Sequence, residues 1–235
     1  MEITVSPVWT VRNPRRSALT DLFIIARYAG EDSRGWIPDG VVDHRPRPAV
    51  WMTPEQEQAV VDNVINRGMG IIPVHAALWS PGKKAFMQLI GVRNPKMHGH
   101  LMITSFYEMN PDHPVSRGVE PYQAVDEIFG ADLEDDCVPF FRAKQTPDLV
   151  SNLSEYTPQV PYEGHDAFPL DRVAGWTREA GKGRVAVLNF LCHQMSFWKK
   201  SAKEMMWQAA RWAMKKEFPE SGLIDGPYGM DRRKK

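Results

Sequence analysis

The run Gly70-Ile71-Ile72-Pro73-Val74 leads without a break into His75, and that junction constrains the fold more than any other stretch of the chain. Five residues without a polar side chain, followed by a titratable ring, have the form of a strand covered on both faces whose carboxyl end reaches a site. In open α/β proteins ligands bind outside the carboxyl ends of parallel strands, where the chain turns toward the next helix. A hydrolase built on a nucleophile elbow would place serine at such a turn in G-x-S-x-G. Here the turn reads His75-Ala76-Ala77-Leu78.

Two other segments repeat the strand pattern. Leu22-Phe23-Ile24-Ile25-Ala26 and Val185-Ala186-Val187-Leu188-Asn189-Phe190-Leu191 are nearly continuous apolar runs of strand length. Between the first of them and Gly70 lies Thr53-Pro54-Glu55-Gln56, in which threonine is an N-cap, proline the first helical residue and glutamine the N3 partner of a capping box. Ala59, Val60, Val61, Val64 and Ile65 continue at helical spacing, and Arg67-Gly68 supplies a cationic last turn and a left-handed stop. A second helix is expected from about Ser201 to Phe218, with Met205, Met206, Ala209, Trp212 and Ala213 as its core stripe and Lys215-Lys216 at its cation-favouring end. Three buried runs with helices between and after them predict an α/β fold, a parallel sheet with helices on both faces. Leu101 to Tyr107 and Val138 to Phe141 are further strand candidates.

Gly181-Lys182-Gly183-Arg184 lacks the phosphate-loop spacing and precedes a strand, so it reads as a hairpin turn with Ala174 to Glu179 as the incoming strand. Asp112-His113-Pro114 reads as a turn. The proline-bearing stretches Gly30 to Met52 and Lys144 to Asp171 are long enough to be lids or binding segments.

With 235 residues, the chain suits a single domain over 1–218 with a solvated tail over 219–235. Lys plus Arg balance Asp plus Glu at 29 each, so no global field favours nucleic acid or an acidic membrane surface. The expected partner is a small molecule of little charge, and self-association is left open. Two cysteines, Cys137 and Cys192, are too few for a disulfide framework or a cysteine-rich zinc module. No secretory leader opens the chain and no apolar run reaches membrane-spanning length, so a cytoplasmic location is expected.

The seven histidines are His44, His75, His98, His100, His113, His165 and His193. His75 and His193 each follow a predicted strand, which would bring both imidazoles to one sheet edge. His98-Gly99-His100 precedes another strand, and Asp126-Glu127 offers a carboxylate. Imidazoles beside a carboxylate suit general acid–base work, or can hold a divalent metal. No pair has the H-E-x-x-H spacing that fixes two ligands on one helical face, so no metal site is assigned and no cofactor motif is present.

In order along the chain, Gly70 to Ala77, Leu89-Ile90-Gly91 with His98, Asp112 to Gly118, Asp126-Glu127, Trp176-Thr177-Arg178-Glu179 with Gly181 to Val185, and Arg211-Trp212-Ala213 resemble the ThuA-like (trehalose utilization) family. The ordered set covers about residues 68 to 214. The resemblance implies the flavodoxin-like fold shared with class I glutamine amidotransferases, without the amidotransferase cysteine. It also implies a role with a disaccharide or an oxidised sugar. On this reading His75, His193 and Glu127 are the catalytic candidates, and His98, His100, Trp176 and Arg178 contact the sugar, with Trp176 read equally as a core residue because tryptophan is highly buried on average. A non-catalytic sugar-binding or interaction domain on the same scaffold is the alternative.

Two departures from the family pattern stand out. Its strand-end Gly-His is Cys192-His193 here, which puts a thiol where backbone approach was free. The strand and helix that usually open the fold have no counterpart before Ile3-Thr4-Val5-Ser6-Pro7-Val8. Loss of a central strand would cost more than a domain's net stability. The expectation is therefore a misplaced start or a fragment, or else an inward shift of the Ile3 to Thr10 segment.

Overall fold

The computed structural model describes residues 21–26, 52–78, 80, 82–96, 103–145, 171–191 and 194–217. Strand β1 is Leu22–Ile25, β2 Gly70–Pro73, β4 Ile103–Met109, β5 Tyr122–Asp126, β7 Val138–Gln145, β8 Asp171–Ala180 and β9 Gly183–Leu188. These seven form one sheet in the order β1-β2-β9-β8-β7-β4-β5. A separate antiparallel pair joins β3, Val92–Lys96, to β6, Gly130–Leu133.

The three runs read as buried strands are the parallel part of the sheet, with Ile24 level with Ile72 and Ile71 level with Val185. The remaining four strands are antiparallel. The expected flavodoxin-like parallel sheet is thus corrected to a mixed α/β sheet. The physical reason lies partly in the Gly181 turn: Ala180 pairs with Gly183, and a two-residue connection can join only antiparallel neighbours. Gly181 itself has φ +58°, and a Cβ there would stand 2.5 Å from the Ile65 carbonyl oxygen.

Helices do cover both faces, through the alternation of side chains along each strand. Ile71, Val185 and Val187 pack with Val60, Val64, Phe86 and Met87 on one side. Ile72, Ala186 and Leu188 pack with Ala202, Met205, Ala209 and Ala213 on the other. Helix α1, Pro54–Asp62, starts as the sequence requires: the Thr53 N–H donates to Gln56 Oε1 at 2.8 Å and the Gln56 N–H to Thr53 Oγ1 at 3.3 Å. Its last turn widens to a π-turn over Asn63–Arg67 before Gly68 stops it at φ +94°. Helix α2, Lys84–Leu89, packs on α1, and the buried Glu57 carboxylate accepts the Phe86 N–H at 2.9 Å. Helix α3 is Lys200–Ala213, shorter than expected because Lys215 turns left-handed at φ 56°.

The strand candidates at Leu101 and Val138 correspond to β4 and β7. Asp112-His113-Pro114 lies in a turn whose Ser116 hydroxyl donates to the Asn110 carbonyl at 2.6 Å. The Ile3 to Thr10 segment, most of the two long proline-bearing stretches, and the 219–235 tail lie outside the described residues. Among the described residues no helix is long and apolar enough to cross a membrane.

Candidate functional site

The sheet edge that matters is formed where β2 and β9 end side by side, with Val74 bridged to Leu188. His75 follows at once, with φ +37°, and Leu191 at the end of the neighbouring run has φ +74°. Left-handed backbone at non-glycine residues is costly, and such strain concentrates where a site demands a particular direction of the chain. His75 is 7% exposed. It stacks on Phe129 with centroids 4.4 Å apart.

Glu127 is the carboxylate that meets this ring. Its Oε2 lies 3.4 Å from His75 Nε2, inside ion-pair range but without hydrogen-bond geometry. Glu127 is 4% exposed, so the pair sits in a medium where charge acts strongly. Position 127 reaches His75 because β5 ends at Asp126 and the chain then crosses the sheet edge over Glu127–Phe129 before entering β6.

Three buried polar side chains serve that crossing segment. Asp126 Oδ1 accepts the Glu127 N–H at 3.0 Å and Oδ2 accepts the Leu191 N–H at 2.8 Å. Asn189 donates to the Phe129 carbonyl at 2.6 Å and accepts the Phe129 N–H at 3.1 Å. The Arg172 guanidinium donates to the Ile128 carbonyl at 2.8 Å, and burial pulls its pKa down to about 10. Desolvation, more than Asp126 nearby, pushes the Tyr122 phenol well above its ordinary range.

The structure therefore brings together His75 and Glu127 of the expected set. His193, His98 and His100 lie outside the described residues, as do Cys192, His44 and His165. Of the two readings of Trp176, sugar platform or core residue, its surroundings are those of the core: it has no exposed surface, and its indole N–H donates to the Ile90 carbonyl at 2.9 Å. Arg178 is level with Val185 and hence with Ile71 near the start of β2, whereas His75 follows the other end of that strand. Its guanidinium donates to Asp136 Oδ2 at 2.7 Å and to the Gln88 carbonyl at the end of α2, so its role there is to close a helix terminus. Among the described residues no group of three or more His, Cys, Asp or Glu side chains could hold a metal ion. Cys137 is a half-buried free thiol, pushed up to about 11 by burial.

Asn189 and Phe129 were not singled out by the sequence. A signal for Asn189 existed, because it is the one polar residue in the run Val185 to Leu191, and a buried amide requires partners. Phe129 carried none, since an aromatic after a strand looks like any core residue.

The family model described as ThuA, trehalose utilisation, matches residues 40–213. Among solved structures, the chain is similar to a ThuA-like protein of Bacteroides uniformis at TM-score 0.56 and 14% identity, over 97% of this chain and 80% of that one. A ThuA-like protein of Parabacteroides merdae is similar at TM-score 0.51 and 13% identity, over 85% and 92% of the two chains. At these identities the likeness is one of fold. A search of curated proteins finds no match.

Proposed function

Because this chain belongs to the ThuA family of trehalose utilisation, we propose that it handles a carbohydrate, a disaccharide or an oxidised sugar, at the edge where β2 and β9 end. The observation that carries the reading is the buried contact of His75 with Glu127. Sugars react through their hydroxyl and carbonyl oxygens, which need a proton removed or supplied near neutral pH, and an imidazole backed by a carboxylate does both. In this scheme His75 takes a proton from a sugar hydroxyl and Glu127 stabilises the resulting imidazolium. The proton then returns from His75 to the oxygen that gains charge. Phe129 holds the ring in place through its stacked face. His193, with His98 or His100, is proposed to contact the same sugar.

The test is calorimetric binding and turnover with a panel of disaccharides and their keto forms, on the parent protein and on His75→Ala and Glu127→Gln. The expected result is binding by the parent, with turnover lost in both variants. Turnover unchanged in both would remove the catalytic assignment, and absence of binding to every sugar would remove the substrate class. Binding without turnover in the parent would leave a sugar-binding domain.

A further inference from the structure

Residues Glu127–Phe129 connect β5 to β6 and have no strand partner, yet this stretch carries both groups that touch the His75 ring. Buried backbone without a ladder must find its partners among side chains. Here Asp126 takes the Glu127 N–H, Arg172 supplies the Ile128 carbonyl, and Asn189 takes both the N–H and the carbonyl of Phe129. Asp126 and Asn189 have no exposed surface, so neither is available to bind a ligand from solvent. Each also reaches across the fold. Asn189 sits just past the end of β9, and the second oxygen of Asp126 holds the left-handed Leu191 amide.

We propose that Asp126 and Asn189 are positioning residues for the candidate site: by tying Glu127–Phe129 to the backbone after β9, they hold the Glu127 carboxylate at the edge of the His75 ring and Phe129 against its face. The inference rests on the His75–Glu127 pair being the site of the function proposed above. Two crosslinks are required because the stretch has two sites to fix. A carboxylate fixes the Glu127 end by accepting two N–H groups, which an amide nitrogen cannot do. A primary amide fixes the Phe129 end because it donates and accepts at once.

The experiment uses the full chain and the variants Asn189→Ala, Asn189→Asp and Asp126→Asn, with Phe129→Leu as a reference and Val64→Ala as a control. Val64 packs against Gly183 at the start of β9, the opposite end of that strand from Asn189, so its truncation lowers stability from the far end of the core cluster that also holds Phe129. The readouts are the NMR ring-proton shifts of His75, which report the stacked Phe129, and amide exchange at Phe129 and Leu191. Expected are His75 shifts that move toward those of Phe129→Leu in Asn189→Ala and Asp126→Asn, and protection falling about tenfold or more at Phe129 and Leu191 respectively. Val64→Ala should leave the His75 shifts in place. Asn189→Asp keeps an acceptor for the Phe129 N–H and loses the donor to its carbonyl, so it should fold and give an intermediate shift. Unchanged His75 shifts in the folded Asn189→Asp and Asp126→Asn proteins, or equal movement in Val64→Ala, would overturn the proposal. These readouts need no sugar, so a failed sugar panel with the expected shifts would reject the carbohydrate reading alone.

Discussion

His75 Nε2 stands 3.4 Å from Glu127 Oε2 at the end of β2, and the histidine that makes this contact has a left-handed backbone. The direction of the imidazole and the strain of the chain are therefore one feature. A residue in this region is tolerated best when it is glycine or asparagine.

His75→Asn and His75→Ala should part company in stability. Both remove the imidazole and its contact with Phe129, but alanine keeps the strain of φ +37° while asparagine relieves part of it. His75→Asn should unfold later in urea, by about 1 kcal/mol. Both should lose turnover of the sugar panel. Equal midpoints would mean that the strain contributes nothing.

His113 should make the protein sensitive to acid. Its Nδ1 accepts the Val115 N–H at 3.1 Å, its Nε2–H faces the Thr177 hydroxyl at 2.9 Å, and burial pushes its pKa down to about 4. Between pH 6.5 and 4 the unfolded chain binds a proton at this residue that the folded chain refuses. Stability from this source is complete above pH 6.5, falls as the pH drops to about 4, and then levels off. The total is on the order of 3 kcal/mol. Urea unfolding of the parent and His113→Gln at pH 7, 5.5 and 4 should give a shallower pH dependence in the variant.

Trp176→Phe should separate core from site. The substitution loses the bond to the Ile90 carbonyl and leaves that buried oxygen in need of a donor, at a cost of about 1–3 kcal/mol. Sugar binding measured by calorimetry should remain that of the parent. A large loss of affinity at retained stability would return Trp176 to the site.

Gly175→Ala should be severe for so small a change. A Cβ at this position would lie 2.1 Å from Phe141 Cε1 and 2.6 Å from Phe140 Cζ, two rings with almost no freedom in the core. Overpacking of this kind costs about 1–3 kcal/mol or more. A thermal melt within a degree of the parent would show that the rings can yield.

The parallel half of the sheet is legible in the sequence, and the reason is burial. Strands β2 and β9 are covered on both faces, so nearly every residue in Gly70 to Val74 and Val185 to Leu191 had to be apolar. The capping box at Thr53 and the Gly181 turn were equally plain, because they are local devices whose partners lie within a few residues. Beyond β8, which that turn sets antiparallel to β9, the rest of the antiparallel half was not legible as such. Strands β4 and β7 draw their orientation from neighbours far along the chain, and an alternating run says nothing about which way its partner points.

For the site, the sequence by itself determined that a histidine stands at the end of a buried strand and that a carboxylate is present at Asp126-Glu127. The resemblance names Glu127 of the two, and the tertiary structure supplies the physical reason that it, and not Asp126, meets the ring. Asp126 and Glu127 are adjacent and chemically alike, but the end of β5 points one inward to brace Leu191 and the other toward His75. It also gave Trp176 its core partner in the Ile90 carbonyl and set Arg178 at the far end of the sheet. Residue type fixes what chemistry a side chain can perform. Strand pairing and backbone direction, which act between segments far apart in the chain, fix which of those side chains face one another.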